Sequence, residues 1–322
     1  MRISVLIATY NRAALLDECL DHVSRQRFAD GDEVIVVDNG STDATPGVVV
    51  RRQRSFQIPL RYLEELRPGK SVALSRAIAV ATGDVLVFTD DDVNVGTNWI
   101  EAIRDAMTDE RVALVGGPVA PRWECQRPWW LNLDEGSGRL AAPLALVDYG
   151  PEVIPLGPRT VLGANMAVRR DVIERLGGFA AHLGKLRGTL LSGEDQELCR
   201  RVQAAGFTAL YLPSAVVRHW VPASRLRLAY CLRWFFWSGI TQATLDESEG
   251  RLDRTFAGLP RYIVRRFLTA CAAALGLAVR GRVTQSLDHA IDITFAAGYA
   301  ASRWGLIRRM RHSPPTAAGQ PA

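Results

Sequence analysis

The first 90 residues alternate between short apolar runs and amphipathic segments, and this alternation restricts the fold more than any other feature. Runs rich in Val, Ile and Leu at residues 3–9, 32–40 and 84–90 are typical of buried strands, and residues 60–65 (LRYLEE) are a further strand candidate. Segments with helical periodicity separate them, at residues 13–26, 41–53 and 70–82. This repeated order predicts an α/β fold with a mostly parallel, Rossmann-like sheet flanked by helices.

Polar clusters follow three of these strands, each at the carboxyl end. The clusters are Thr9–Arg12, Asp38–Asp43 and Asp90–Asp92. In open parallel sheets, ligands bind in the crevice outside the carboxyl ends of the strands. We therefore expect the three clusters to line one crevice.

The triplet Asp90–Asp92 needs a compensating charge, because adjacent carboxylates repel one another. A hard divalent cation is the usual compensation for carboxylates at such a position. Strand alternation predicts that Asp90 and Asp92 face the ligand while Asp91 points to the other side. Taken alone, the triplet is equally typical of a solvated acidic turn.

Basic residues are concentrated in the C-terminal third of the chain. The net charge is +5 for the whole chain, and residues 223–322 contain 14 Arg, no Lys and 6 acidic residues. No nucleic-acid recognition motif accompanies them, so we expect no nucleic-acid partner. Residues 223–311 combine Arg and aromatic residues at helical spacing, which indicates a helical region at an anionic membrane surface. A packed helical subdomain or a homodimer contact is the alternative, and residues 312–322 are expected to form a disordered tail.

Cysteine usage and hydropathy indicate a cytoplasmic protein. The five cysteines are widely scattered, without metal-type spacing, as is usual for reduced thiols. No signal peptide is recognisable at the start. The longest late apolar run, residues 267–279, has 13 residues, whereas a membrane span needs about 20. We therefore expect at most peripheral attachment to the inner face of the cytoplasmic membrane.

Six short motifs occur in order along residues 2–222. They are TYNR (9–12), VDNGSTD (37–43), GKSVAL (69–74), FTDDD (88–92), GANMAVRR (163–170) and GEDQEL (193–198). Together they closely resemble the inverting nucleotide-sugar glycosyltransferases of family 2, which have the GT-A fold. The resemblance implies a catalytic domain over residues 1–222, a nucleoside diphosphate sugar donor, and Mg²⁺ or Mn²⁺ as cofactor.

The resemblance also assigns residues to the donor. Thr9, Asn11 and Arg12 would border the nucleotide, and Asp38 would bind its base or ribose. Lys70 would approach the diphosphate. For Asp38 the alternative is a turn-capping role, because the surrounding sequence is also good turn chemistry.

The acidic triplet matches the DxD motif of that family. Asp90 and Asp92 would hold the metal that bridges the diphosphate oxygens, Asp91 would belong to the donor site, and His219 would be a further metal ligand. Asn165, in the GAN motif, would hydrogen-bond the donor sugar. A strand-end packing role for His219 and a loop-capping role for Asn165 are the alternatives.

The GED motif supplies the expected catalytic base. An acceptor hydroxyl has a high pKa and needs a positioned carboxylate to remove its proton. The resemblance assigns this role to Asp195, with Glu194 orienting the acceptor or the base; the alternative for both is a helix start, where acidic residues are favourable.

The predicted function is transfer of one sugar, of hexosyl type, to a hydroxyl of a carbohydrate or lipid-linked acceptor in cell-surface polysaccharide or glycolipid synthesis. Processive relatives carry a Q-x-x-R-W motif, and Tyr230 stands here where the Gln would be. A sugar nucleotidyltransferase and a non-catalytic nucleotide-sugar binding module are the alternatives. The first usually needs an early Gly-rich loop that this chain lacks, and the intact acidic motifs disfavour the second.

Overall fold

The structure is a computed structural model of the 322-residue chain. It describes residues 1–131, 133, 139–180, 183–184, 189–248, 250, 255–279 and 283–306. The side chains of residues 278–279 and 283–286 are not included in this description. The predicted tail, residues 312–322, lies outside the described residues.

The described part contains short strands and longer helices in alternation. The strands are β1 (Ile3–Thr9), β2 (Glu33–Asp38), β3 (Leu60–Glu64), β4 (Val85–Asp90), β5 (Val93–Val95), β6 (Val112–Gly116), β7 (Val119–Trp123), β8 (Ile154–Pro155), β9 (Asn165–Arg169), β10 (Thr208–Tyr211), β11 (Val217–Val221), β12 (Thr255–Phe256) and β13 (Leu259–Pro260). The helices are α1 (Ala13–Ser24), α2 (Thr45–Arg52), α3 (Lys70–Val80), α4 (Trp99–Ala106), α5 (Arg170–Arg175), α6 (Glu194–Ala204), α7 (Leu228–Ser248), α8 (Arg261–Val279) and α9 (Val283–Arg303).

The main sheet has eight strands in the order β3-β2-β1-β4-β9-β6-β10-β8. Strands β1 to β4 pair in parallel, as the sequence predicts. Strand β9 runs antiparallel to both β4 and β6, and β10 pairs in parallel with β6. The α/β fold class with a mostly parallel sheet is therefore confirmed.

The core lies between this sheet and its helices. Every residue of β2 is buried, as is all but one residue of β1, because helices cover both faces of a parallel sheet. The side of α1 that faces the sheet consists of the periodic apolar positions of the sequence: Leu16, Cys19, Leu20 and Val23.

A second sheet, in the order β5-β11-β7, determines where the acidic triplet lies. Strand β4 ends at Asp90, and the next two residues form a turn into β5. Strand β5 pairs with β11 so that Val93 lies opposite His219, and the Trp220 amide donates to the Asp92 carbonyl at 2.9 Å. The turn is thereby held against β11, the strand that carries His219.

The segment from 110 to 165 supplies strands to both of these sheets. Strands β6 and β7 lie within it, and the GAN motif at its end leads into β9. Because β9 is central in the main sheet, the residue that begins it, Asn165, is fully buried.

The chain divides into two compact units, with the boundary between Cys231 and Leu232. The sequence places this boundary at residue 222. The second unit contains most of α7 together with α8 and α9, which agrees with the predicted helical character of the region. Gly239 of α7 and Gly298 of α9 allow close packing: a Cβ on Gly298 would lie 1.8 Å from the Phe236 carbonyl oxygen.

Among the described helices, none combines the length and hydropathy that a membrane span requires.

Candidate active site

The carboxyl ends of β1, β2 and β4 lie side by side, as the polar clusters predict. In the parallel register Thr9 pairs with Asp38, and Ala8 pairs with Asp90. A cavity of about 330 Å³ opens at this edge of the sheet. It is lined by Ala8, Thr9, Tyr10, Arg12, Asn39, Gly69, Lys70, Asp90, Asp91, Asp92, Ala145, Thr189, His219 and Arg225. We call this cavity the cleft.

Arg12 joins two carboxylates of the triplet. Its Nη1 donates to Asp91 Oδ1 at 2.8 Å and to Asp92 Oδ2 at 2.7 Å, while Thr9 Oγ1 donates to Asp91 Oδ2 at 2.8 Å. The expectation that Asp91 points away from Asp92 is therefore wrong, since both side chains reach the same nitrogen. Strand alternation does not apply, because β4 has already ended at Asp90.

Burial changes the pKa of both Asp91 and Arg12. Burial raises the pKa of Asp91, with Arg12 acting in the opposite direction. Burial alone would lower the pKa of Arg12, yet the carboxylates raise it above its ordinary value. The guanidinium therefore stays charged and offsets the repulsion within the triplet.

Lys70 contacts the remaining carboxylate, that of Asp90. It is the first residue of α3 and follows Gly69, whose φ of 134° favours glycine. Asn39 positions this loop, because its Oδ1 accepts from the Gly69 amide at 2.8 Å and its Nδ2 donates to two loop carbonyls. Burial alone would lower the pKa of Lys70, but Asp90 and the carboxylates at the start of α6 together raise it.

Asp92 and His219 bring together donor atoms that suit a divalent cation. His219 Nε2 lies 3.5 Å from Asp92 Oδ1, and both side chains are almost fully buried. Within the described part of the chain, Asp92 Oδ1 has no hydrogen-bond donor, so a buried carboxylate oxygen there calls for a compensating charge. The described residues contain no group of three His, Cys, Asp or Glu able to hold a metal by themselves. The pair fits a cation that takes its other ligands from substrate phosphates.

The GAN and GED motifs meet at Asp195. The Gly163 amide donates to Asp195 Oδ2 at 2.8 Å, and a Cβ on Gly163 would lie 2.8 Å from Asp195 Oδ1. Glycine is thus required for the carboxylate to approach the loop this closely. Asp195 does not line the cleft itself, but its charge acts on Lys70, which does.

Glu194 is the first residue of α6 and is 8% exposed. Its Oε2 accepts from the Gly193 amide at 2.9 Å. Burial raises the pKa of Glu194, and the neighbouring charge of Asp195 raises it further, against the effect of Lys70. The two predicted catalytic residues therefore share one acidic helix start.

Asn165 lies apart from the cleft, and the geometry does not support its predicted contact with a sugar. Its Oδ1 accepts from Trp99 Nε1 at 2.8 Å, and both amide hydrogens are used by the carbonyls of Pro118 and Ala215. The side chain is fully buried. Asn165 thus satisfies backbone carbonyls beside β9, which agrees with the loop-capping alternative.

Asn11 and Asp38 also make internal contacts rather than line the cleft. Asn11 Oδ1 accepts from the Thr42 amide at 2.7 Å, which joins the loops after β1 and β2. Asp38 accepts from the Ser41 amide at 2.8 Å and from the Tyr62 hydroxyl at 2.9 Å. The bond from the Ser41 amide to Asp38 is the turn cap given above as the alternative for Asp38. Contact of Asn11 or Asp38 with the nucleotide sugar stays a prediction.

The cleft also contains side chains to which the sequence assigned no role, and Asn39 and Arg225 are two of them. Asn39 is part of the VDNGSTD motif, but its side chain acts on a loop 30 residues away. Arg225 is one of many arginines in the C-terminal third, and only its contact with His219 distinguishes it. Proximity in sequence to His219 was the one available signal for Arg225.

Comparison with known proteins agrees with the geometry. A family model described as Glycosyl transferase family 2 matches residues 4–177. Glucosyl-dolichyl phosphate glucuronosyltransferase of Haloferax volcanii is 26% identical over 263 residues, covering 76% of this chain and 78% of that protein. Succinoglycan biosynthesis protein ExoM of Rhizobium meliloti is 28% identical over 251 residues, covering 76% of this chain and 75% of that protein.

Solved structures show the same fold. The mannosyltransferase PcManGT from Pyrobaculum calidifontis, in complex with GDP-Man and Mn²⁺, superposes with a TM-score of 0.61 at 23% identity. The match covers 94% of this chain and 87% of that one. The predicted GT-A fold is therefore confirmed. With the family match extending over more than half of its length, this chain belongs to glycosyl transferase family 2 and is a glycosyltransferase.

Proposed function

We propose that this glycosyltransferase moves one hexosyl unit from a nucleoside diphosphate sugar to an acceptor hydroxyl, with inversion at the anomeric carbon. The observation that supports this most is the cleft at the carboxyl ends of the parallel strands, where three carboxylates and three basic side chains face one another. Such a set of fixed charges suits a metal-bound diphosphate.

In the proposed reaction, Asp195 takes the proton of the acceptor hydroxyl as the acceptor oxygen attacks the anomeric carbon. The bond from that carbon to the donor phosphate oxygen breaks, and its electron pair leaves with the nucleoside diphosphate. Attack from the face opposite the leaving group inverts the configuration. The Gly163 amide keeps the carboxylate of Asp195 in one orientation, so that it need not reorganise as the proton arrives.

Asp92 and His219 would hold a Mg²⁺ or Mn²⁺ ion, together with Asp90 once its contact with Lys70 is exchanged. When bound, the ion supplies Lewis-acid stabilisation of the charge on the departing diphosphate. The mannosyltransferase PcManGT, which has the same fold, forms a complex with GDP-Man and Mn²⁺, and this supports a divalent cation here. Thr9 and Arg12 line the nucleotide side of the same cleft and are proposed to contact the donor.

The decisive test is the variant Asp195→Asn. The amide can still accept the Gly163 N–H but cannot take a proton, so turnover should fall by at least about 100-fold while donor affinity is unchanged. Turnover would be measured as nucleoside diphosphate release with Mn²⁺ and a panel of nucleotide sugars, and affinity by calorimetry. Asp171→Asn, an exposed carboxylate at the start of α5, is the matched control.

Two results would contradict the proposal. Retention of most of the turnover by Asp195→Asn would remove this residue from the role of base. A product with retained anomeric configuration, determined by NMR, would exclude the inverting mechanism.

The acceptor is proposed to be a carbohydrate or a lipid-linked glycan in cell-surface polysaccharide or glycolipid synthesis. The names of two relatives, a glucuronosyltransferase acting on glucosyl-dolichyl phosphate and a succinoglycan biosynthesis protein, support this class. A cytoplasmic location at the inner face of the membrane would give access to such acceptors.

The second unit has a surface that suits peripheral contact with an anionic membrane. Helix α8 exposes one stripe at helical spacing that begins with Arg261 and Arg265 and continues with Leu268 and Leu275. These leucines are 60% and 70% exposed, which is unusual for apolar side chains of this size. Arginines beside exposed leucines match anionic headgroups and the acyl boundary beneath them.

Liposome flotation of the full chain tests this contact. The double variant Leu268→Ser, Leu275→Ser should lose binding to vesicles of phosphatidylcholine with phosphatidylglycerol. The control is Val50→Ser, which changes an exposed apolar side chain on a different helix, α2. This variant should bind the vesicles as the unmodified chain does. Unchanged flotation of the double variant contradicts the membrane contact. A change in molecular mass without loss of flotation would instead identify the stripe as a homodimer contact.

A further inference from the structure

The basic side chains of the cleft differ in what they contact. Arg12 is bound by Asp91 and Asp92, and Lys70 is bound by Asp90. Arg225 forms no ion pair with a carboxylate among the residues that the structure describes, and its contact is with the imidazole of His219. Within the described part of the cleft, Arg225 is thus the basic side chain that has no carboxylate partner.

Arg225 lies at the same edge of the cleft as the candidate metal donors. Its Nη1 is 3.3 Å from His219 Nε2, which is in turn 3.5 Å from Asp92 Oδ1. A diphosphate held at this edge would therefore lie close to the guanidinium.

The segment that carries Arg225 is firmly anchored. It is a single 3-10 turn, Ala223–Leu226, which begins with the Ala223 amide donating to Glu124 Oε2 at 2.6 Å. Leu226 is buried in a small apolar cluster with Val221. Anchoring at both ends reduces the entropy that would be lost when the side chain binds an anion.

We propose that Arg225 binds the diphosphate of the donor and stabilises it as the leaving group. This inference rests on the proposed function and extends it to a residue outside the six motifs. A guanidinium matches the geometry of phosphate oxygens and forms charge-assisted hydrogen bonds with them. As the sugar leaves, negative charge grows on the departing phosphate oxygens, and a fixed cation beside them stabilises that charge.

Calorimetry on the full chain with Mn²⁺ tests the proposal. The probes are UDP, GDP and dTDP, followed by the monophosphate of whichever nucleotide binds most tightly. Arg225→Ala should weaken diphosphate binding by about 10-fold or more, while monophosphate affinity changes much less because the terminal phosphate is absent. Arg225→Lys should give an intermediate loss, since it keeps the charge without the planar fork. Arg227→Ala, an exposed arginine two residues further on, is the matched control.

Three other results would contradict the role of Arg225 or the proposed function. Equal losses for diphosphate and monophosphate would indicate a general structural effect and overturn the inference. Unchanged or tighter diphosphate binding by Arg225→Ala would show that the side chain only shields His219. If the unmodified chain binds none of the nucleotides, the proposed function fails together with this inference. If it binds them and the variants match it, the inference alone fails.

Discussion

At the scale of single residues, the site depends on how each carboxylate is compensated. Asp91 and Asp92 share Arg12, and Asp90 holds Lys70, so the triplet is neutralised largely by side chains before any metal enters. Burial and the adjacent Asp195 disfavour the charge of Glu194 and raise its pKa, and Lys70 only partly offsets them. The charge of Glu194 therefore opposes folding at a pH above its raised pKa.

The variant Glu194→Gln should be more stable than the unmodified chain, but only at higher pH. Since the folded state raises the pKa of Glu194, stability falls as pH rises from the ordinary glutamate pKa through the raised value. The amide removes this penalty, so we expect no difference near about pH 4 and a gain on the order of 1 kcal/mol near about pH 8. Urea unfolding at both pH values measures it. Glu174→Gln, on the exposed side of α5, should show no such trend, and a gain independent of pH would contradict the explanation.

At the scale of elements, the loop before β9 holds the carboxylate of Asp195 at the start of α6. Gly163→Ala should displace Asp195, because the added Cβ would lie 2.8 Å from its Oδ1. We expect kcat to fall by up to about 100-fold, as for other small misplacements of a reacting group, with donor affinity retained. Steady-state kinetics and calorimetry separate the two effects.

The control for this variant is Gly47→Ala on the exposed face of α2. Nothing lies within 4 Å of a Cβ built there, so this change should leave kcat unaltered and stabilise the helix by about 0.5–1 kcal/mol. An unchanged kcat in Gly163→Ala would mean that Asp195 tolerates the shift and that the loop does not position it.

At the scale of the whole molecule, the two units have separate apolar cores. The core of the first surrounds the main sheet, and that of the second includes Ile263, Phe295 and Tyr299. Gly298→Ala should destabilise the second unit by about 1–3 kcal/mol, since α9 must move away from the Phe236 carbonyl. Calorimetric unfolding would show the loss, with nucleotide binding unaffected because every described cleft residue precedes Cys231.

Gly276→Ala in α8 is the control, because a Cβ there meets nothing within 4 Å. It should be neutral or slightly stabilising. A loss of nucleotide affinity in Gly298→Ala would contradict the prediction that this change affects the second unit alone.

The sequence by itself determined the alternating strands and helices of the first 90 residues and the edge of the sheet at which the cleft opens. Buried parallel strands have a local signature, and parallel pairing aligns their carboxyl ends, so Thr9, Arg12 and the aspartates could be placed together. The motif order also led correctly to the family and the GT-A fold. These features depend on local periodicity or on short contiguous motifs.

Only the tertiary structure decided which side chains face the cleft and what each one contacts. Asn165 begins a central strand, and its amide is used by Pro118 and Ala215, so it is buried rather than available to a sugar. Arg225 reaches the cleft because β11 pairs with β5 and brings the following turn beside Asp92. Hydrogen bonds between residues tens of positions apart leave no periodic trace in the sequence, which is why the fold was predictable and these partners were not.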